Sequence, residues 1–234
     1  MSKVKSYLSL IKFSHTIFAM PFAMIGFFLA VTYLHSFRTN DPDLLPSGFI
    51  GTATFPYGEI NYHWSFYILK LALVILCMLF ARSAAMAFNR YLDRSFDAKN
   101  PRTAIREIPA GIIKANSVLL FTIVNCLLFI ACTFFINSLC FYLSPVALLI
   151  VLGYSYTKRF TPLCHLVLGL GLSLAPIGAY LAVTGQFSSL PILFSLSVIF
   201  WVSGFDIIYA LQDEEFDKAQ KLYSIPSWLG KQKH

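Results

Sequence analysis

Six apolar runs, each close to the length of a membrane span, constrain this chain more than anything else in it. They cover 16–34, 66–88, 117–136, 139–157, 163–184 and 191–211. A helix needs about 20 mostly apolar residues to cross a bilayer. Inside lipid every backbone N–H and C=O must find a partner within the protein, so runs of this kind fold as spanning helices. The expected fold class is an all-α integral membrane helical bundle. Composition agrees: of the 234 residues, 57% are hydrophobic and 12% charged, against about 25% charged in a soluble domain. The 23 Phe and 12 Tyr suit lipid-facing and interfacial positions.

Lys3, Lys5 and Lys12 precede a run long enough to span, so the N-terminus reads as a first helix rather than a cleaved signal. A polar loop, His35 to Trp64, separates the first two runs, while only Asn137 and Ser138 separate the third and fourth, which predicts a tight hairpin. Pro21, Pro145 and Pro176 fall inside runs, where neighbouring helices satisfy the freed carbonyls. Gly169, Gly171, Ser173 and Gly178 predict a close approach of the fifth run to a neighbour. Cys77, Cys126, Cys132, Cys140 and Cys164 show no CxxC or Cys/His spacing and read as buried thiols.

Charge placement sets the orientation. With the N-terminus inside, the inner regions are 1–15, 82–115, 158–162 and 212–234. They hold Lys3, Lys5, Lys12, Arg82, Arg90, Arg94, Lys99, Arg102, Arg106, Lys114, Lys158, Arg159, Lys218, Lys221, Lys231 and Lys233, 16 of the 18 Lys and Arg. Arg38 and Lys70 fall outside. This is the positive-inside pattern of an inner-membrane protein with a cytoplasmic N-terminus. The net charge of +7 reads as topology and contact with anionic lipid, with no basic recognition helix for nucleic acid.

Two acidic motifs then emerge on the cytoplasmic side. If the second helix continues past its apolar part, Asn89, Asp93 and Asp97 stack along one face. Carboxylates one turn apart repel each other unless a cation lies between them, and oxygen ligands of this kind suit Mg²⁺. After the sixth run the pattern returns, with Asp206, Tyr209, Asp213 and Asp217 on one face of a continuing helix. Arg82 lies two turns deeper than Asn89, where an unpaired guanidinium is costly unless it faces a cavity or partner. Lys99, Arg102 and Arg106 follow the first motif, and Tyr154 and Lys158, with Arg159, close the fourth run. Carboxylates, bases and a tyrosine beside an apolar helical wall describe a site for a metal-bound anion with an apolar tail; a polyprenyl diphosphate is one such molecule.

Asn89-x-x-x-Asp93-x-x-x-Asp97, Arg102-Thr103-Ala104, Tyr154-x-x-x-Lys158 and Asp206…Asp213-x-x-x-Asp217, in this order, resemble the UbiA superfamily of intramembrane aromatic prenyltransferases. Within it the chain is similar to the 4-hydroxybenzoate polyprenyltransferase and menaquinone branches. Leu222-Tyr223-Ser224-Ile225-Pro226 is similar to the branch assigned to menaquinone made through futalosine. Arg90 stands where many members carry Asp. The family fold implies nine transmembrane helices around a cavity, of which six are expected here with the C-terminal three missing. The expected organisation is one transmembrane domain over 1–234, C-terminally incomplete, with an outer loop 35–64, a cytoplasmic loop 89–115 and a tail 206–234.

The resemblance implies Mg²⁺-dependent transfer of a polyprenyl group to 4-hydroxybenzoate or a dihydroxynaphthoate in quinone biosynthesis. Asn89, Asp93, Asp97, Asp213 and Asp217 would hold the metal. Arg82, Arg102, Arg106, Tyr154, Lys158 and Arg159 would bind the diphosphate, and Asp206 and Tyr209 would orient the aromatic acceptor. Glu214 and Glu215 read as solvated. His15 reads as interfacial, His165 stays open, and His35 and His63 fall in the outer loop. Two rivals remain: a cation-coupled transporter, and a truncated remnant that binds prenyl diphosphate without turnover.

Overall fold

The apolar runs fold as helices whose ends fall close to those expected. The computed structural model describes residues 3–11, 13–39 and 64–230. These form α1 (Lys3–Leu10), α2 (Phe13–Thr39), α3 (Trp64–Asp97), α4 (Ala115–Ile136), α5 (Ser138–Thr157), α6 (Cys164–Thr184), α7 (Ser189–Ala210), α8 (Glu214–Ala219) and α9 (Ile225–Leu229). Among the described residues, five segments are long and apolar enough to cross a membrane: α3, α4, α5, α6 and Ser189–Ala219. The first expected span falls in α2, whose apolar part is Ala19–Leu34.

The helix carrying the first motif continues past its apolar part, as the stacking of Asn89, Asp93 and Asp97 requires. It runs unbroken through all of α3, 34 residues, to Asp97, so the cytoplasmic loop expected over 89–115 starts only after Asp97. The outer loop begins later than His35, because α2 continues to Thr39. The rest of that loop up to residue 63, with His63, and residues 231–234 lie outside the described residues, as do the side chains of His15 and His35.

Helix α6 is the centre of the bundle, packing against α7, α2 and α5. Lipid tails are as apolar as leucine, so spanning helices associate through close packing over small residues. Ala19, Ala23 and Ala30 of α2 are almost fully buried. On the same face Gly26 lies so close to α6 that an added Cβ would overlap the carbonyl of Pro176. On the other side of α6, Gly169 abuts α7, where a Cβ would stand 2.6 Å from the Ile199 carbonyl oxygen. Ser195 Oγ donates to the Ser173 carbonyl at 2.7 Å. At Gly178, expected at a helix contact, an added Cβ would meet no atom of another element within 4 Å among the described residues, and the residue instead borders the cavity described below.

The hairpin between α4 and α5 turns on one residue. Asn137 is extended (φ −168°, ψ 166°), and its side chain accepts from the Cys140 N–H at 2.8 Å, capping α5. Its amide also donates to the Leu181 carbonyl of α6 at 2.8 Å. That carbonyl also receives the N–H of Gly185, whose φ of +67° ends α6 in a left-handed cap. Around this end lies an apolar core with Phe27, Tyr33, Leu73, Ile136 and Tyr180. At the other end Leu10 of α1 packs with Ala87, Ile113 and Val118. All five cysteines are free thiols, with Cys132 and Cys164 buried and the others half-buried.

Candidate active site

Between the helices lies a cavity of about 780 Å³, within the range of small-molecule sites. Its deep wall is apolar, with Val74, Met78, Ala81, Leu143, Ala147 and Leu172. Its lining gathers every site residue expected from the sequence: Arg82, Asn89, Asp93, Asp97, Arg102, Arg106, Tyr154, Lys158, Arg159, Asp206, Tyr209, Asp213 and Asp217. The two acidic motifs, more than a hundred residues apart in sequence, face one space.

The first motif keeps its helical geometry. Asn89 Nδ2 donates to Asp93 Oδ2 at 3.2 Å, one turn along α3. The second does not: α7 ends at Ala210, a 3₁₀ turn spans Leu211–Asp213, and α8 starts afresh. Across this turn Asp206, Tyr209, Asp213 and Asp217 still share a side, and all four line the cavity as expected. The turn buries Glu214, 4% exposed and 2.7 Å from Lys218 Nζ. Glu214 is thus not the solvated side chain expected, while Glu215 is exposed.

Each motif aspartate meets a different base. Arg159 Nη2 stands 3.5 Å from Asp93 Oδ1, Arg106 Nη1 2.6 Å from Asp97 Oδ1, and Lys158 Nζ 2.7 Å from Asp217 Oδ1. Arg102 grips Asp213 with two nitrogens, Nη2 to Oδ2 and Nε to Oδ1 at 3.1 Å, and its Nη1 donates to Tyr209 Oη at 3.3 Å. Burial alone would lower the Arg102 pKa, but the hydrogen bond and charge of Asp213 raise it. Arg82 borders the cavity with its buried Nε lacking a hydrogen-bond partner among the described residues.

Two polar groups here stand outside the expected site, Asn100 not named from the sequence and His165 left open by it. Asn100 Nδ2 donates to Asp213 Oδ1 at 3.3 Å, and His165 is buried with Nδ1 2.7 Å from Asp206 Oδ2. Neither carries a motif signature. Both are set by contacts across more than forty residues.

The donor set suits a divalent ion. Asp97 Oδ2 and Asp217 Oδ2 are buried with no hydrogen-bond partner among the described residues, and orphaned buried oxygens of this kind call for an unseen partner such as a cation. Among the described residues no three carboxylate, thiol or imidazole groups form a ready-made cage. Mg²⁺ seldom needs one, since it takes one or two carboxylates and completes its shell with phosphate and water.

A family model described as the UbiA prenyltransferase family matches residues 44–234. The chain belongs to the UbiA family. A protein named 4-hydroxybenzoate octaprenyltransferase from Tolumonas auensis is 38% identical over 136 residues, 58% of this chain and 48% of that protein. The chain thus spans about half the length of the curated relatives it matches. Among solved structures, the apo UbiA homologue of Aeropyrum pernix K1 superposes with a TM-score of 0.73 at 30% identity, covering 93% of this chain and 70% of that one. A UbiA homologue of Archaeoglobus fulgidus, bound to DMAPP and Mg²⁺, shares the fold with a TM-score of 0.62 at 22% identity, covering 96% and 69%.

Proposed function

We propose that this UbiA-family chain carries the site for Mg²⁺-dependent transfer of a polyprenyl group from its diphosphate to a hydroxylated aromatic acid. One observation carries the reading: four aspartates and four bases converge on the rim of one cavity whose deep wall is apolar. Asn89, Asp93, Asp97, Asp213 and Asp217 would hold the metal, with the orphaned oxygens of Asp97 and Asp217 its first anchors. When bound, Mg²⁺ supplies charge neutralisation to the departing diphosphate.

The remaining steps belong to the protein. Arg102, Arg106, Lys158 and Arg159 exchange their aspartates for diphosphate oxygens, and Arg82 and Tyr154 add donors from deeper in the site. The apolar wall holds the isoprenoid chain and excludes water from the allylic carbon as its C–O bond breaks. An electron-rich ring carbon forms the new C–C bond as the diphosphate departs, and the ring proton then passes to the displaced diphosphate, restoring aromaticity. Asp206 and Tyr209 orient the phenol. The name of the relatives supports 4-hydroxybenzoate as acceptor, and the resemblance of Leu222–Pro226 to the futalosine branch supports a dihydroxynaphthoate. The positive-inside distribution supports a multi-pass cell-membrane protein with this rim facing the cytoplasm.

The test incubates membranes holding the protein with labelled prenyl diphosphate, Mg²⁺ and a panel of hydroxybenzoates and hydroxynaphthoates. A prenylated product that disappears with EDTA, with Asp93→Ala and with Asp217→Ala is expected. Transfer undiminished by all three would overturn the metal assignment.

A further inference from the structure

The segment Leu222–Pro226 does more than mark a branch of the family: its backbone plugs into the corner between α5 and α6. Tyr223 N–H donates to the Lys158 carbonyl at 2.8 Å, and Cys164 Sγ donates to the Tyr223 carbonyl at 3.5 Å. Ser224, fully buried, closes a capping box with Ser227 at the start of α9. Ile225 N–H donates to His165 Nε2 at 3.3 Å.

That last bond fixes the chemistry of the histidine. A backbone N–H only donates, so Nε2 is the bare, accepting nitrogen. The proton of the neutral ring then sits on Nδ1, which donates to Asp206 Oδ2 at 2.7 Å. His165 is 3% exposed and engaged at both ring nitrogens, so the ring has little room to turn. Asp206 keeps about a third of its side-chain surface open, with a side-chain relative accessibility of 34%, and lines the cavity beside Tyr209.

We infer that His165 is a positioning residue: as the Nδ1–H tautomer it holds Asp206 as an aimed acceptor for the phenolic hydroxyl of the aromatic substrate, and the docked tail holds that tautomer. This deepens the proposed function and rests on it for the identity of the phenol. It also gives the tail a role, since the same segment anchors the corner that bears Lys158. One polypeptide element thereby sets both the diphosphate and the acceptor sides of the site.

The two limbs of the relay can be cut separately in the full chain reconstituted in lipid nanodiscs. The amide nitrogen of His165→Asn falls near Nδ1 and retains the donor to Asp206. His165→Gln places its polar end near Nε2, so it keeps the tail contact and loses the donor. Binding of 4-hydroxybenzoate and 1,4-dihydroxy-2-naphthoate is measured by calorimetry beside binding of geranyl diphosphate with Mg²⁺. The Gln variant is expected to weaken phenol binding by about tenfold or more, the loss of a hydrogen bond to a charged group, and the Asn variant several-fold less. Geranyl diphosphate binding stays within about twofold of the parent in both.

Equal losses in the two variants, no loss in either, or a parallel loss of diphosphate binding would overturn the inference. Nitrogen-15 spectra of histidine-labelled protein give a second reading. A neutral Nδ1–H ring at His165 that shifts in Asp206→Asn supports the relay, and an imidazolium or an Nε2–H ring refutes it. A parent that binds geranyl diphosphate but neither phenol would also refute it while leaving the metal and diphosphate reading intact. Phenol binding with the Asn–Gln difference, in a protein that binds no prenyl diphosphate, would do the reverse.

Discussion

Lys158 Nζ lies 2.7 Å from Asp217 Oδ1, and the two differ sharply in exposure, with side-chain relative accessibilities of 36% and 0%. A wholly buried carboxylate therefore owes its charge compensation to a lysine that remains in contact with solvent. The same asymmetry recurs at Asp97 and Arg106, 9% and 24%. The bases are free to leave, and the acids are not. An incoming anion with its cation can take the bases away while replacing their charge at the aspartates.

Lys158→Met should accordingly destabilise the protein by about 2 kcal/mol, between the value of an exposed pair and that of a fully buried one. Mg²⁺ should recover part of the loss, because it supplies the missing positive charge to Asp217. Thermal unfolding in detergent, with and without MgCl₂, reads both effects. A Mg²⁺ stabilisation equal in the variant and the parent would contradict the exchange.

Removing a carboxylate acts on the chemistry itself. Asp93→Ala and Asp217→Ala should each lower prenyl transfer by about 100-fold or more, the scale of metal-borne stabilisation of a leaving group. Glu215→Gln, an exposed neighbour in the same acidic stretch, should leave transfer unchanged. The comparison separates a metal role from general loss of negative charge at this end of the bundle.

The sequence exposed the spans because crossing a membrane depends on little but length and apolarity. The first motif was legible because α3 stays helical to Asp97, so spacing translated directly into a shared face. The second was harder. Nothing in Ala210-Leu211-Gln212-Asp213 announces a break, with no proline or glycine present, yet the chain enters a 3₁₀ turn there. The projected face still holds across it for Asp213 and Asp217, which line the cavity, but the burial of Glu214 against Lys218 carries no signal in the spacing. His165 and Asn100 were hidden for another reason: their partners, Asp206, Ile225 and Asp213, are brought to them only by tertiary packing. Gly178 was expected at a helix contact because small residues suit packing and cavity walls alike.

Glycines that do touch a neighbour supply a stability test. Gly26→Ala would drive a methyl into the Pro176 backbone, and Gly169→Ala into Ile199 and Ser203. Backbone cannot yield as a side-chain tip does, so each should cost about 1–3 kcal/mol. On α7 the Cβ added by Gly204→Ala would meet nothing within 4 Å among the described residues, so this variant should be neutral or stabilising by up to about 1 kcal/mol from helix propensity. Denaturation of the three variants in one detergent checks the order.

Arg102 offers the clearest separation of charge from shape. Its guanidinium spans Asp213 and Tyr209 with three nitrogens, a fork that lysine cannot reproduce. Arg102→Lys keeps the charge and loses the fork, so it should weaken prenyl diphosphate binding by about tenfold at neutral pH. The pH dependence distinguishes the two residues further. Asp213 raises the Arg102 pKa above its ordinary value despite partial burial. Its charge and the stability it adds are therefore complete below the unfolded-state pKa and are lost only at still higher pH, beyond the working range. Lysine titrates near pH 10, so the variant alone should lose further affinity as the pH rises from about 9 to 10.5. Diphosphate binding measured across that interval should stay flat in the parent with respect to this group and fall in Arg102→Lys. A parent that declines in parallel with the variant would assign the loss to another base on the rim.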